Sequence, residues 1–314
     1  MAILKLKPAC KDYLWGGHKL ADDFGVEYDG PVLAEAWALS CHPDGPSVIV
    51  NGPASGKSLR EYIEAEGREV LGSNCARFED FPILSKFIDA KDNLSIQVHP
   101  SDEYALREEG QYGKTEMWYI LDAEEGAFLY YGFKKEISKE EFESRIRDNT
   151  LLEVLNAEPV HKGDVFFIEP GTLHAIGKGI VLAEIQQNSN VTYRIYDYAR
   201  VGADGKQREL HIDKALAVTG RKPKTKTASV YPHVADCEYF TVDKLVLDGK
   251  TLNAAGGEVG TESFLSVLVL DGEGTIECGG EMFSYRKGDS IFITAGSGEW
   301  KVDGRCDALL TTIR

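Results

Sequence analysis

Four side chains of the sequence could bind one divalent metal ion together: Gln97, His99, Glu116 and His174. Gln97 and His99 are two residues apart in an apolar run, so on a β-strand both side chains would leave the same face. Glu116 and His174 lie at the ends of two further strand-like runs. Two imidazoles, one carboxylate and one amide oxygen form a mixed nitrogen and oxygen set that suits Zn²⁺ or another first-row divalent ion. The sequence therefore predicts one metal site inside a β-barrel.

The charge of this ligand set indicates its chemistry. Because only Glu116 would be charged, the site would keep about one positive charge and act as a Lewis acid toward a substrate oxygen. Redox iron centres more often use a histidine-rich or two-histidine-one-carboxylate set, which makes oxygenase chemistry less favoured. Each residue alone also has a structural interpretation, since a single strand histidine is often a buried polar residue. The remaining histidines lie in turn-like or helical contexts and are interpreted as structural: His18, His42, His161, His211 and His233.

The elements that would position these ligands are mostly short strands. Glycine is abundant, at 32 residues, and turn-like pairs such as Asp271-Gly272 separate short apolar or β-branched runs. Several runs are almost continuously apolar, as expected for strands in a sandwich or barrel core. The predicted strands cover residues 47–50, 94–99, 117–121, 128–131, 165–168, 181–186, 265–270 and 290–293.

Three helices are predicted between these strands. Ser58 and Glu61 form a capping-box pattern that begins a helix reaching residue 70, and Ser138 begins a second one that reaches Leu155. A third helix would cover residues 212–218. The fold class is therefore mainly β, with a few helical insertions.

An internal repeat predicts two related barrels. Residues 162–168 read Lys-Gly-Asp-Val-Phe-Phe-Ile, and residues 287–293 read Lys-Gly-Asp-Ser-Ile-Phe-Ile. Each segment is followed, at the same spacing, by a glycine and then by His174 in the first copy but Glu299 in the second. Only the first barrel is therefore expected to bind metal.

A basic segment, residues 220–227, separates the two copies of the repeat. It contains four cations and a proline, which is typical of a linker or an exposed loop. We therefore expect a first domain at residues 1–225, with helical insertions and the metal site, and a second domain at residues 226–314 without one.

Composition excludes several function classes. With 314 residues and 43% hydrophobic content, the chain can bury a sizeable core, which excludes a disordered or fibrous protein. A net charge of −16 argues against a nucleic-acid partner, which would require clustered Lys and Arg. Neither a signal peptide nor a run approaching roughly 20 apolar residues is visible, so we expect a cytoplasmic protein without a membrane partner. The six cysteines form no Cys-x-x-Cys pair and are expected to be reduced and mostly buried.

At the predicted ligands, the sequence resembles the type I mannose-6-phosphate isomerases of the cupin superfamily, in their short bacterial form. Together with residues 35–40 and 84–90, the matching segments extend over most of residues 1–220. The resemblance implies two cupin-type (jelly-roll) β-barrels and the interconversion of D-mannose 6-phosphate and D-fructose 6-phosphate. The signatures are Ser95-Ile-Gln-Val-His-Pro100, Gly113-Lys-Thr-Glu-Met-Trp118, residues 166–177 and Asn188-Ser-Asn-Val-Thr-Tyr-Arg-Ile-Tyr-Asp-Tyr198.

The same resemblance assigns roles to single residues. It implies that one Zn²⁺ per chain is bound by the four ligands named above, and that the chain is a monomer or a weak homodimer acting on a small sugar phosphate. It further implies that Arg194 is the catalytic arginine and that Ser95, Lys86 and Lys114 line the substrate pocket. Longer family members have a histidine where this chain has Gly113, so the group that assists ring opening is not identified. A second departure is that Pro170 directly precedes Gly171 in the turn before the metal histidine.

An aldose–ketose isomerase moves a proton between C1 and C2 through an enediol, which requires a base, an electrophile and a phosphate site. Lys114 is the leading candidate base, provided that its pKa lies below the usual value of about 10.4. Arg194 could stabilise the enediolate or bind the phosphate, or it could be a structural partner of Asp197. Nearby aromatic residues could stack on the sugar or belong to the core: Trp118, Tyr119, Tyr193, Tyr196 and Tyr198. A non-catalytic cupin that senses sugar phosphates, or another metal-dependent cupin enzyme, stays open as an alternative.

Overall fold

The computed structural model describes residues 3–202, 205–226 and 229–314. Within these residues, strands in three antiparallel sheets make up most of the regular secondary structure, which confirms the mainly β class. Thr227, the last residue of the predicted linker, lies outside the described residues. The strands are β1 (Ile3–Lys7), β2 (Ala9–Lys11), β3 (Glu35–Leu39), β4 (Val48–Ile49), β5 (Ile83–Ala90), β6 (Ile96–Val98), β7 (Glu116–Ala123), β8 (Phe128–Phe133), β9 (Leu155–Pro159), β10 (Val165–Ile168), β11 (His174–Ala175), β12 (Ile180–Gln187), β13 (Tyr193–Tyr196), β14 (His233–Asp236), β15 (Thr241–Asp248), β16 (Ala254–Val259), β17 (Leu265–Cys278), β18 (Glu281–Arg286), β19 (Ser290–Ile293) and β20 (Gly298–Thr312).

Two sheets form the first barrel. One has the strand order β10-β7-β12-β5-β3-β2, and the other has the order β13-β6-β11-β8-β9. They share an apolar core that includes Trp118 and Ile120 of β7 as well as Leu129 and Tyr131 of β8. This arrangement, typical of a jelly roll, places β7 in one sheet and β6 and β11 in the other. Predicted ligands from both sheets can therefore converge between them.

The third sheet forms the second barrel and has the order β14-β15-β20-β17-β19-β1-β4, with β16 and β18 paired to its long strands. β1 pairs with β19 in antiparallel register, with Ile3 opposite Ile293, so the start of the chain belongs to the C-terminal sheet. The predicted division between residues 225 and 226 stays a proposal. β1 also pairs with β4, so residues 3–7 and 48–49 would belong to the first domain by sequence but to the sheet of the second barrel by structure. Four cysteines lie buried in the cores: Cys41, Cys75, Cys278 and Cys306.

The predicted repeat corresponds to equivalent local structures. Its two copies form β10 and β19, and each strand is preceded by a glycine with positive φ, Gly163 at 89° and Gly288 at 88°. Only glycine adopts this conformation without strain, which explains the shared Lys-Gly-Asp turn. His174 follows the first copy and is fully buried, whereas Glu299 follows the second copy and is exposed.

The helices are shorter than the sequence predicted, except for residues 212–218, which are helical as expected. The capping box at Ser58 is present, but the first predicted helix ends at Gly67, whose φ is 93°, and continues only as a 3₁₀ turn. The second ends before Asn149, at φ 56°, and Leu155 begins a strand instead. Of the described helices, none is long and apolar enough to cross a membrane. The α-helices are α1 (Lys19–Asp22), α2 (Leu59–Glu66), α3 (Asp102–Glu108), α4 (Lys139–Arg147) and α5 (Ile212–Val218), and 3₁₀ helices span Arg68–Leu71, Ser73–Arg77 and Leu151–Glu153.

Candidate metal centre and substrate pocket

Three predicted metal ligands converge in the first barrel. His99 directly follows β6, Glu116 begins β7 and His174 begins β11, and one ligand atom from each lies within 4.8 Å of the other two. All three side chains are at most 1% exposed. His99 Nε2 is 3.3 Å from Glu116 Oε1, and His174 Nε2 is 3.7 Å from Glu116 Oε2. The two sheets thus bring together residues that are up to 75 positions apart in the sequence.

The hydrogen bonds of the two histidines fix which nitrogen faces the centre. Nδ1 of His99 lies 2.8 Å from the carbonyl oxygen of Val191, and Nδ1 of His174 lies 2.8 Å from that of Thr172. A carbonyl oxygen can only accept, so each Nδ1 carries the proton and each Nε2 presents a lone pair. Burial lowers the pKa of both imidazoles, that of His174 to about 3. Both rings are therefore neutral, as metal ligands must be.

The buried atoms at the centre fit a cation. No hydrogen bond of good geometry reaches Nε2 of His99, Nε2 of His174 or Oε2 of Glu116, and Oε1 of Glu116 has an ion pair with Lys114. Buried polar atoms are normally paired, because leaving them unpaired costs free energy. Burial would raise the pKa of Glu116, but the positive charge of Lys114 opposes this effect, and the pKa lies well below its usual range. An ionised carboxylate beside two lone pairs is a suitable site for a divalent metal.

Gln97, the fourth predicted ligand, lies beside this cluster. It is directly opposite His174 in the β6–β11 pair and opposite Arg194 in the β6–β13 pair. Its Oε1 accepts a hydrogen bond from Ser95 Oγ at 3.3 Å, and Ser95 Oγ accepts one from Arg194 Nε at 3.2 Å. A hydrogen-bonded chain therefore connects the predicted catalytic arginine, the predicted substrate-binding serine and the predicted amide ligand.

A pocket of about 370 Å³ opens beside the cluster. It is lined by every other predicted site residue, namely Lys86, Ser95, Gln97, Lys114 and Arg194. A second pocket of about 490 Å³ adjoins it at Asn190, Thr192 and His211 but is lined by none of the predicted residues. Position beside the metal ligands, not volume, identifies the first pocket as the candidate substrate site.

Two buried lysine side chains line this pocket, and each is paired with carboxylates. Lys114 is 4% exposed, and its Nζ lies 2.6 Å from Glu116 Oε1. Lys86 Nζ lies 3.0 Å from Glu184 Oε1 and 3.5 Å from Glu35 Oε2. Burial alone would lower the pKa of Lys86, but these carboxylates outweigh it and raise that pKa, so Lys86 stays a cation.

Several pocket residues were missed by the sequence reasoning. Glu35 and Glu184 each accept a hydrogen bond of 2.7 Å from a buried tryptophan indole, Trp37 and Trp118 respectively. The available signal was a carboxylate inside an otherwise apolar strand, such as Glu184 within Ile-Val-Leu-Ala-Glu-Ile. Burial raises the pKa of Glu184, and the negative charge of Glu116 adds to this effect.

Arg208 also lines the pocket and was missed. Its Nε and Nη2 bind the two carboxylate oxygens of Asp197, at 2.7 and 2.6 Å, and Arg200 binds the same carboxylate at 2.7 Å. Asp197 is thus held by two other arginines, whereas Arg194 donates to Ser95 and to the carbonyl of Glu209. This arrangement does not match the alternative in which Arg194 fixes Asp197.

Of the aromatic residues that the sequence singled out, Trp118 lines the pocket at 1% exposure. Tyr193 is buried, and its hydroxyl donates to Glu109 Oε1 at 2.8 Å. Tyr119 is buried in an apolar core cluster. Two unpredicted aromatic residues, Tyr13 and Trp15, do line the pocket. They lie close to each other, with ring centroids 5.6 Å apart, and provide the apolar surface that a sugar face requires.

Comparison with known proteins agrees with this geometry. A family model for the type I phosphomannose isomerase catalytic domain matches residues 3–128, and one for the mannose-6-phosphate isomerase cupin domain matches residues 230–313. Mannose-6-phosphate isomerase of Streptococcus mutans is 39% identical, over 93% of this chain and 92% of that protein. The crystal structure of mannose 6-phosphate isomerase from Bacillus subtilis superposes with a TM-score of 0.90 and 35% identity, over 99% of both chains.

A more distant structure, a mannose 6-phosphate isomerase solved in a zinc-bound form, shares the fold at a TM-score of 0.81, with 18% identity over the full length of both chains. Nothing in these comparisons favours a sensor or another cupin enzyme. Similarity over nearly the whole chain, together with the two domain matches, identifies the family. The chain belongs to the type I phosphomannose (mannose-6-phosphate) isomerases, the family that its signatures resembled.

Proposed function

We propose that the pocket beside His99, Glu116 and His174 is where this isomerase interconverts D-mannose 6-phosphate and D-fructose 6-phosphate. The observation that carries the proposal is the cluster of buried ligand atoms without good hydrogen bonds, which opens into a pocket lined by Lys86, Lys114 and other cations. A sugar phosphate matches this combination, because its reacting oxygens suit a Lewis acid and its phosphate suits lysine and arginine.

The proposed metal is one Zn²⁺ per chain, bound by Gln97, His99, Glu116 and His174. Support comes from the mixed nitrogen and oxygen donors of this site and from the zinc-bound isomerase that shares the fold. When bound, zinc would supply Lewis-acid polarisation of the sugar oxygens.

The protein residues would then perform the proton transfer. In its neutral form, Lys114 removes the proton from C2 of mannose 6-phosphate and returns it to C1, while the hydroxyl proton on O2 passes to O1, and the product is the ketose. Arg194 donates hydrogen bonds to the substrate oxygen that becomes negative. The bond from its Nε to Ser95 orients the guanidinium group in the pocket for this role. Lys86, held as a cation by Glu184 and Glu35, binds substrate oxygens without exchanging its proton.

Glu184 is a second candidate for the base. It is buried, it lines the pocket, and burial raises its pKa above the usual value, which makes the carboxylate a stronger base. The variants Lys114→Met and Glu184→Gln separate the two assignments. If Lys114 is the base, Lys114→Met loses at least about 10²-fold in kcat. Full turnover by Lys114→Met would leave Glu184 as the base.

A coupled assay tests the proposed function. Fructose 6-phosphate formation from mannose 6-phosphate is measured on purified protein before chelation, after chelation and after zinc is added back. We expect turnover to disappear with the chelator and to return with zinc. Unchanged turnover in a sample shown to be metal-free would reject the metal assignment, and no turnover in a folded, zinc-loaded sample would reject the reaction. The cytoplasmic location and the monomeric or weakly dimeric state stay predictions.

A further inference from the structure

The backbone that carries Lys114 is held at three consecutive amide groups. Gly113 N donates to Asp102 Oδ1 at 2.7 Å, Lys114 N donates to the carbonyl of Pro100 at 3.1 Å, and Thr115 N donates to Gln187 Oε1 at 2.9 Å. None of these bonds belongs to a regular strand ladder, because β7 begins only at the following residue. Two side chains, Asp102 and Gln187, and the carbonyl of Pro100 therefore hold the backbone around Lys114, where strand pairing does not.

Asp102 is the centre of this arrangement. Its Oδ1 accepts from both Gly113 N and the side-chain amide of Gln187, the latter at 2.9 Å. Gln187 also receives Thr115 N on its Oε1 and donates its own backbone N–H to the carbonyl of Thr115 at 3.1 Å. Asp102 and Gln187 thus bind each other and the residues on both sides of Lys114.

The second oxygen of Asp102 connects this network to the second barrel. Tyr239 donates its hydroxyl to Asp102 Oδ2 at 2.8 Å. Tyr239 lies between β14 and β15 of the C-terminal sheet and is 137 positions from Asp102 in the sequence. Its ring also lies near Phe78, with ring centroids 6.5 Å apart.

We propose that Asp102 and Gln187 are positioning residues for Lys114, and that Tyr239 makes the C-terminal barrel part of this support. The inference rests on the proposed catalytic role of Lys114. A lysine side chain is flexible along its four-carbon stem, so the place of its ammonium group depends on how firmly its backbone is held. A displacement of about 1 Å in a reacting group can cost on the order of 10²-fold in rate. The second barrel has Glu299 where the first has the proposed metal-binding histidine. Through Tyr239 it would nevertheless contribute to the reaction.

Two variants of Asp102 test the positioning role. Asp102→Ala removes the acceptor, and we expect kcat to fall about tenfold or more while KM changes less than about twofold, because the other pocket cations, Lys86, Arg194 and Arg208, stay in place. Asp102→Asn keeps an acceptor oxygen for Gly113 N and Gln187, and it should recover most of kcat. In hydrogen exchange, the amides of Gly113 and Thr115 should exchange faster in the alanine variant and normally in the asparagine variant.

A matched pair of tyrosine variants tests the contribution of the second barrel. Tyr239→Phe removes one hydroxyl and should lower kcat several-fold at unchanged zinc content. Tyr285→Phe is the control, because Tyr285 is a buried tyrosine of the second barrel whose hydroxyl donates to the carbonyls of Asp303 and Arg305. This control should be less stable but equally active.

Each alternative result overturns a defined part of the proposal. Unchanged kcat in a folded Asp102→Ala variant, or equal losses in the Ala and Asn variants, would overturn the positioning role. Equal activity of Tyr239→Phe and Tyr285→Phe would overturn the role of the second barrel. Lys114→Met is measured in parallel. If that variant is fully active, the proposed catalytic role of Lys114 is wrong. If Lys114→Met is inactive while Asp102→Ala is fully active, only the positioning role of Asp102 is wrong.

Discussion

The two buried histidines show how much of the candidate centre is decided by single atoms. Carbonyl oxygens of Val191 and Thr172 bind Nδ1 of His99 and His174, which leaves Nε2 of each ring aimed at Glu116. Such outer partners set the tautomer and the ring orientation of metal-binding histidines. They are backbone atoms, so no side-chain motif reveals them.

These histidines also predict the acid sensitivity of the metal-free protein. The pKa of His174 falls from 6.5 to about 3 on burial, so between these values the unfolded chain binds a proton that the folded chain does not. This difference in proton binding leaves the free energy of unfolding at its full value above pH 6.5 and lowers it as the pH falls from 6.5 toward 3. In chelator, we expect Tm to decrease by about 3 °C between pH 7 and pH 5, as measured by circular dichroism.

A substitution identifies the group responsible. His174→Gln removes the titrating imidazole, and its Tm should depend less on pH in this range. His161→Gln, which changes a histidine side chain that is 82% exposed, should retain the wild-type dependence. Identical pH dependence in all three proteins would contradict the assignment to His174.

Arg208 is predicted to bind the phosphate. Lys86 and Lys114 are buried against carboxylates, whereas the Arg208 side chain is 37% exposed at the pocket and is oriented by Asp197. Arg208→Gln should raise KM for mannose 6-phosphate about tenfold and leave kcat within about threefold, because a charge-assisted hydrogen bond contributes about 1.5–3 kcal/mol. Steady-state kinetics measure both constants.

The control for this prediction is Arg305→Gln, which removes a surface arginine that is paired with Asp271 in the second barrel. It should leave both constants unchanged. A loss of kcat at constant KM in Arg208→Gln would place Arg208 at the reacting carbons instead of the phosphate.

At the scale of elements, the turn before β7 requires a glycine. A Cβ added to Gly113 would lie 2.4 Å from the carbonyl carbon of Ser101 and 2.5 Å from Asp102 N, so the backbone would have to move. Gly113→Ala should therefore displace Lys114 and lower kcat at least about tenfold, while the metal content stays that of the wild type. Gly220→Ala is the control, since its Cβ would meet only an ordinary contact of 3.5 Å. Normal kcat in Gly113→Ala would show that the turn tolerates the shift.

This clash also bears on the departure noted at position 113. Longer relatives were expected to have a histidine there, and no side chain fits the present turn without a rearrangement.

Strand β12, which pairs with β7, shows what an apolar sequence pattern does not predict. β12 is buried along its full length, and its apolar run predicted a core strand while concealing Glu184 as a pocket residue.

At the scale of the whole molecule, the two barrels are joined by a shared core. Phe264, which precedes β17, is fully buried and lies 5.4 Å from Phe81 and 4.9 Å from Phe292, measured between ring centroids. The same cluster contains Phe87 of the first barrel. We therefore expect the two barrels to unfold together, in one transition.

Phe264→Ala tests this coupling. Truncating a buried phenylalanine costs about 3–5 kcal/mol, so Tm should fall by roughly 5–8 °C while unfolding stays a single transition in calorimetry. Leu252→Ala is the control, because Leu252 is 54% exposed in the second barrel, and it should leave Tm nearly unchanged. Two separated transitions in Phe264→Ala would show that the barrels are independent units.

The sequence by itself determined the β class, the repeat and the family resemblance. These features depend on residue identity and on the alternation of side chains along one strand, which is local information. The tertiary structure alone decided that residues 3–7 complete the C-terminal sheet, that Arg208 and Glu184 face the pocket, and that Asp102 meets Tyr239. Sheet pairing and the packing of loops join residues more than a hundred positions apart, and no local pattern specifies which distant segment becomes the neighbour.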